Sequence, residues 1–330
     1  VVVTSQTEAE LLEILESLDR DVRYEVALDE NASEVVLLRV IEDKDCSVRC
    51  AAAGNPNVTE AVLMKALEDK DPEVRETAAK NQRASEAVLL KALDDEDCFI
   101  REAAAKNPNA SEAVLRKAIK DENSWVRVTA AGNPSASDDI LERIVKDDHP
   151  SMRGAAAKNR NATEGVLLRA IEDENWLVRL GAGGNENASE AVLLRGIEDK
   201  HWGVRRAAAR NKSASEAVLR KAFEDERWEV RNAVAENPSA TEDVLLRAIE
   251  DEHPVVRWAT AKNPSATEDV LLRAIEDQDS YVRQAAVRHR NVSEAVLMRA
   301  LDDKDGDVRS AAAGSKSATE AVLFRAIEDK

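Results

Sequence analysis

Twelve arginines recur at a fixed interval of 26 residues, from Arg23 and Arg49 through Arg179 to Arg309. A row of guanidiniums can grip phosphates or carboxylates through paired hydrogen bonds. An aspartate stands six residues before almost every one of them, as Asp43 before Arg49, Asp69 before Arg75 and Asp251 before Arg257. That companion shifts the expectation from a ligand grip to a structural Asp–Arg ladder tying each repeat to its neighbour. His149, His201 and His253 share one register; capping of the helix that follows is expected there, ahead of acid–base work. Cys46 and Cys50 stand four apart, the spacing of half a metal site on a helix, but no further ligand has matching spacing. No nucleophile–base pair, phosphate loop or carboxylate pair rises above the repeat. No catalytic residue, cofactor or metal is therefore assigned, and the chain is expected not to be an enzyme.

The elements that must position these residues follow from the period. Units start at residues 3, 29, 55, 81 and so on in steps of 26, giving twelve full units over 3–314 and a half unit over 315–330. The N-terminal unit is atypical, and one repeat domain over 1–330 is expected. Position 5 of every unit is Ser or Thr and position 6 is acidic, from Thr7-Glu8 to Thr319-Glu320. A hydroxyl cap followed by a carboxylate suits the start of a helix, so helix A is expected from there to about position 15. Its apolar positions 8, 9, 12 and 13, such as Val244, Leu245, Ala248 and Ile249, lie on one face. A second, shorter helix B is expected over positions 18–25. Asp, Asn or His precedes it in all but one unit, where Arg227 stands, and Pro72, Pro150 and Pro254 take its first position. Its Ala-rich end is stopped by Asn-Pro, as at Asn55-Pro56. Neither helix can bury its apolar face alone, so the units must stack. Gly181-Ala-Gly-Gly184 replaces the Ala run once, and each Gly costs about 1 kcal/mol in a helix, so that helix B is expected to be weak.

The order Asp-x-x-x-x-Val-Arg-x-Ala-x-Ala-x-Asn-Pro, seen from Asp43 to Pro56, is similar to the HEAT repeat and more closely resembles the bacterial leucine-rich repeat variant. The resemblance covers essentially the whole chain. It implies an all-α fold: a right-handed α-solenoid, or superhelix, of 26-residue two-helix repeats whose second helix is short. This chain departs from that family in opening helix A with Ser or Thr plus Glu rather than Pro. The Cys-rich iron–sulfur segment of one family member has no counterpart here, so no iron–sulfur role is carried over.

Against so constant a frame, the variable positions 18, 19 and 22 stand out. They share one face of helix B. Eight of the ten aromatic residues fall there (Tyr24, Phe99, Trp125, Trp176, Trp202, Trp228, Trp258 and Tyr281), as do all three cysteines. Trp and Tyr are the usual anchors of binding surfaces, since they bury a large area with few rotors. The expectation is a recognition scaffold that holds a protein or peptide through Phe99, Trp125, Trp176, Trp202, Arg206, Trp228, Trp258 and Tyr281. Lys80, Lys106, Lys158, Arg210, Lys262 and Arg288 at position 26 make this face less acidic than the rest. The alternative expectations are a modular reader of single-stranded nucleic acid, one ring per base, and an engineered repeat scaffold without a natural ligand.

Charge weighs on that choice. The chain carries 65 acidic and 47 basic residues, a formal charge of −18 and a pI near 4.9. Nucleic-acid binding relies on basic surface and counterion release, and anionic membranes repel such a chain, so both partners are disfavoured. Three cysteines do not make a disulfide framework, and nothing resembles a signal peptide. The expected setting is the cytoplasm.

Overall fold

The computed structural model describes residues 7–17 and 19–328. Among them are 25 helices and no strand. Two compact units divide the chain, Val1–Ala162 and Thr163–Lys330. Within each, A helices pack on neighbouring A helices and B helices on neighbouring B helices. The fold is an all-α solenoid, as expected.

Helix lengths reverse one expectation. Helix A is usually seven residues, as in Glu34–Val40 and Glu242–Ala248, and helix B nine, as in Cys46–Gly54 and Pro254–Lys262. The second helix is short, yet it is the longer of the two. Helix A stops at position 12 because its last turn tightens: the N–H groups of Glu42 and Asp43 donate to Arg39 and Val40, three residues back. Helix B instead runs one residue past the expected end.

The caps differ in quality as well. Before helix B, Asp45 and Asn175 accept the N–H of Ser47 and Leu177 at 2.9 Å. Before helix A the hydroxyls are looser: Ser33 and Ser85 accept at 3.4 Å, and the Thr59, Ser137, Ser189 and Thr241 hydroxyls are buried with no partner. The start of helix A therefore depends on packing of Val36 and Leu37 and their counterparts, which are fully buried. Small side chains such as Ala52, Ala104 and Ala208 let the B helices approach closely and fill the middle of each unit.

An amide ladder, read in the sequence only as a helix stop, also ties repeats together. Asn55 donates to the Ala27 and Asp29 carbonyls at 2.8 and 2.9 Å while its own oxygen accepts the Asn57 N–H. Asn107, Asn133, Asn211, Asn237 and Asn263 repeat the pattern. These side chains are buried, and each satisfies carbonyls that the preceding helix end leaves open.

Candidate functional site

The arginine at position 21 places helix B before any variable side chain matters. Arg231 donates through Nε and Nη2 to the two oxygens of Asp251 at 2.6 and 3.0 Å, and through Nη1 to the Asp225 carbonyl at 2.9 Å. Matching rungs join Arg23, Arg49, Arg75 and Arg101 to Asp43, Asp69, Asp95 and Asp121 in the first unit. Arg179, Arg205, Arg257 and Arg283 do the same with Asp199, Asp225, Asp277 and Asp303 in the second. These guanidiniums are occupied within the frame, so they are not a ligand grip. One rung lapses. Arg127 keeps its bonds to the Asp121 and Glu122 carbonyls but makes no ion pair with Asp147, although Asp147 accepts the His149 N–H as the paired aspartates accept theirs. Burial raises the carboxyls of Asp43, Asp69, Asp121 and Asp303, but the bonds from their arginines and from backbone N–H groups outweigh it. All four stay below the usual carboxylate range.

On this frame the aromatic positions separate into distinct environments. At position 18 the rings stack on the capping residue of the next repeat. Trp176 lies 4.1 Å from His201, the near-parallel Trp202 ring lies 6.2 Å from that same imidazole, and Arg227 covers Trp202 at 4.9 Å. Trp228 stacks on His253 at 4.3 Å, nearly parallel, and also packs against the core at Ala235, Ala248, Val256 and Ala259. Trp202 and Trp228 are half-buried. The histidines do cap helices: Nδ1 of His149, His201 and His253 accepts the N–H of Ser151, Gly203 and Val255. Arg227 makes no such cap and pairs with Glu229 as well as covering its ring. In each stack the aromatic is followed 25 residues later by His or Arg, but the same spacing joins Tyr24 to Arg49 and Trp258 to Arg283, which belong to the ladder, so it does not by itself mark a stack.

Position 19 is open. Phe99 and Trp125 in the first unit are 66% and 72% exposed, and Tyr281 in the second is 70% exposed. Position 22 is mixed: Tyr24, Cys50 and Arg206 are half-buried, and Trp258 is 37% exposed with the Lys262 ammonium 4.2 Å from its ring centre. Cys46, Cys50 and Cys98 are free thiols. Burial and the nearby Glu73 carboxylate push the Cys50 thiol up to about 11, which opposes thiolate chemistry. Among the described residues no three His, Cys, Asp or Glu side chains gather as a metal site would require, and no helix is long and apolar enough to cross a membrane.

No protein-family model and no curated protein matches the chain. Solved structures similar to it include a leucine-rich repeat variant with a novel repetitive structural motif, 24% identical over 68% of this chain and 88% of that one, with a TM-score of 0.49. Kap121p bound to Ste12p is 12% identical over 92% of this chain and 48% of its own, with a TM-score of 0.44. Importin beta in an ammonium sulfate condition is 14% identical over 97% and 52%, with a TM-score of 0.36. The chain thus spans about half the length of the Kap121p and importin beta chains.

Proposed function

We propose that this chain is a non-catalytic binding scaffold that holds a protein or peptide partner along the ring-bearing edge of its B helices. One observation carries the reading. Phe99, Trp125 and Tyr281 occupy the same register in separate repeats and each leaves most of its ring in water, while the large apolar side chains of the frame, such as Leu63, Leu141 and Leu245, are fully buried. Large rings are otherwise expected to be mostly buried, and exposed ones mark contact surfaces. Trp176, Trp202 and Trp228 form the stiff, stacked part of this edge within the second unit, with Arg206 and Trp258 beside them. The variable positions bring together rings and a few cations, the equipment of recognition. The reading needs no cofactor and keeps the cytoplasm as its setting.

The test is a peptide-display selection on the immobilised chain, with enriched peptides titrated against wild type and against two variants, Phe99→Ser/Trp125→Ser and Tyr281→Ser. Enriched peptides should bind at least one variant about tenfold more weakly, a loss of about 1.4 kcal/mol. Selected peptides that bind both variants as they bind wild type, or a selection that enriches nothing, would overturn the proposal.

A further inference from the structure

In the second unit a groove of about 510 Å³ opens between the B helices Pro254–Lys262 and Ser280–Val287. Trp258 and Tyr281 form apolar walls, and Lys262, Gln284, Arg288 and Arg290 supply the polar lining. A change in the amide ladder lies at its floor. His289 stands where most repeats have Asn, and it keeps two of the three bonds: Nε2 lies 3.0 Å from the Asn263 carbonyl and Nδ1 accepts the Asn291 N–H at 3.2 Å. The helix before it ends one residue early, at Val287, and Arg288 becomes its cap with the N–H turned to the Gln284 and Ala286 carbonyls.

The charge of this groove opposes that of the chain. Three cations and no carboxylate line it, in a protein of net charge −18. At the same register two such cations are neutralised, Lys80 by Glu76 at 2.6 Å and Arg210 by Glu236 at 3.5 Å, whereas Lys106 and Lys158 make no ion pair among the described residues but stand on faces without this cluster of cations and rings. Here Lys262 rests on the Trp258 ring, Arg290 donates to the Pro264 carbonyl at 3.0 Å, and the Arg288 side chain has no hydrogen-bond or ion-pair partner among the described residues. A cation exposed beside open rings, without an acid to answer it, has an unmet preference for a carboxylate.

We infer that this groove receives a short acidic peptide segment, one apolar or aromatic side chain lying between Trp258 and Tyr281 and its flanking carboxylates meeting Arg288, Arg290 and Lys262. The inference rests on the scaffold reading above and adds the partner's chemistry. A volume of about 510 Å³ suits a few side chains. The occupant is a peptide rather than a nucleic acid because the positive charge is confined. Beyond the groove, the next depression adds Asp307 beside Lys316, and Glu229 and Glu236 lie on the preceding B helix, so a strand with a phosphate at every step would meet carboxylates on both sides.

The probe is a fluorescein-labelled peptide of four glutamates flanking a Leu-Tyr pair, titrated by anisotropy into the full chain at low salt. Its glutamine counterpart and a twenty-nucleotide oligo(dT) run in parallel. The glutamate peptide should bind about tenfold more tightly than the glutamine peptide, and Arg288→Glu should weaken it about tenfold. Lys106→Glu, a charge reversal at the same register of the first unit, should change it less than about twofold. Because the Arg288 side chain supports nothing in the fold, that variant should keep the wild-type circular dichroism and melting midpoint. Equal binding of the two peptides, no binding of either, or indifference to Arg288→Glu would sink the inference. So would oligo(dT) binding more tightly and losing affinity in the same variant, which would mark the groove as a nucleic-acid site. Display-selected peptides that still respond to the Phe99, Trp125 or Tyr281 variants would leave the scaffold reading standing in each of these cases.

Discussion

The tryptophan column from Trp176 to His253 and the groove between Trp258 and Arg290 use the same residue types to opposite ends. In the column each indole has a partner from the next repeat: His201 for Trp176, Arg227 for Trp202 and His253 for Trp228. In the groove, Tyr281 stands open, Trp258 has only its own lysine, and Arg288 has nothing. The difference teaches that a ring on a variable face is not yet a binding residue. What decides is whether the neighbouring repeat supplies the ring's partner, which for position 18 is the cap residue 25 residues downstream.

Both regions hang from the same ladder, so the largest effect should come from removing every rung at once. The ladder carboxyls of Asp43, Asp69, Asp121 and Asp303 are held low in the folded chain, so the folded state binds fewer protons than the unfolded one near their titration. The stability they supply is fully present above the ordinary carboxylate range, near pH 4, and is lost as pH falls through their lowered values. The melting midpoint followed by circular dichroism should be nearly flat from pH 7 to about 5 and fall steeply below about 4. A midpoint insensitive to acid there would refute the ladder as a main support.

Next in size is the rung shared by the two regions. Arg231 and Asp251 join the helix bearing Trp228 to the one bearing Trp258, and Asp251 also accepts the N–H of His253 at 2.8 Å, which holds the histidine under Trp228. Asp251→Ala leaves the buried Arg231 guanidinium with only the exposed Glu252 carboxylate and backbone carbonyls, and should cost about 3 kcal/mol, the low end for breaking a buried pair, read from urea or thermal unfolding. Trp228→Ala then sharpens the contrast. It removes a stacked, half-buried ring and should cost about 2 kcal/mol, whereas Tyr281→Ser should change stability by less than about 0.5 kcal/mol. Equal costs for the two would erase the distinction between column and groove.

The smallest effects concern what the column stands on. A Cβ added at Gly183 would meet Ala208 at 3.6 Å or more, ordinary contact, so Gly183→Ala should stabilise by about 0.5–1 kcal/mol through helix propensity. At Gly196 the added Cβ would lie 2.8 Å from that of Ala208, so Gly196→Ala should destabilise by about 1 kcal/mol or more despite the same propensity gain. Melting midpoints moving in the same direction would show that packing around Ala208 is looser than these distances require.

Much of this architecture was legible in the sequence, because every unit repeats its punctuation. The Ser/Thr-acid pair, the Asn-Pro stop and the paired Asp and Arg locate both helices and the ladder. Helix lengths were less legible, since the tightening of helix A after position 12 depends on the turn geometry around Glu42 and Asp43, which the continuing apolar pattern hides. The second role of Asn55 and its counterparts was hidden for another reason: an amide's partners lie 26 and 28 residues back, on carbonyls whose exposure only the packed helices reveal. The lapse at Arg127 has no sequence signal, for both members of that pair are present. For the candidate site, the concentration of rings at three positions was visible, but their division into stacked and open was not. Positions 18 and 19 are adjacent in sequence, and the next repeat's cap is a histidine after both Trp176 and Trp125, yet the position-18 ring stacks on it while the position-19 ring stands open.

Each amide and arginine rung reaches one repeat and no farther, a span set by the 26-residue period. The molecule therefore has a length quantum. Excising 26 consecutive residues should let the cut ends adopt each other's partners, as a zip closes after losing whole teeth, whereas cutting 25 or 27 would put the rungs that span the cut out of register. Size in this chain can change only by whole steps.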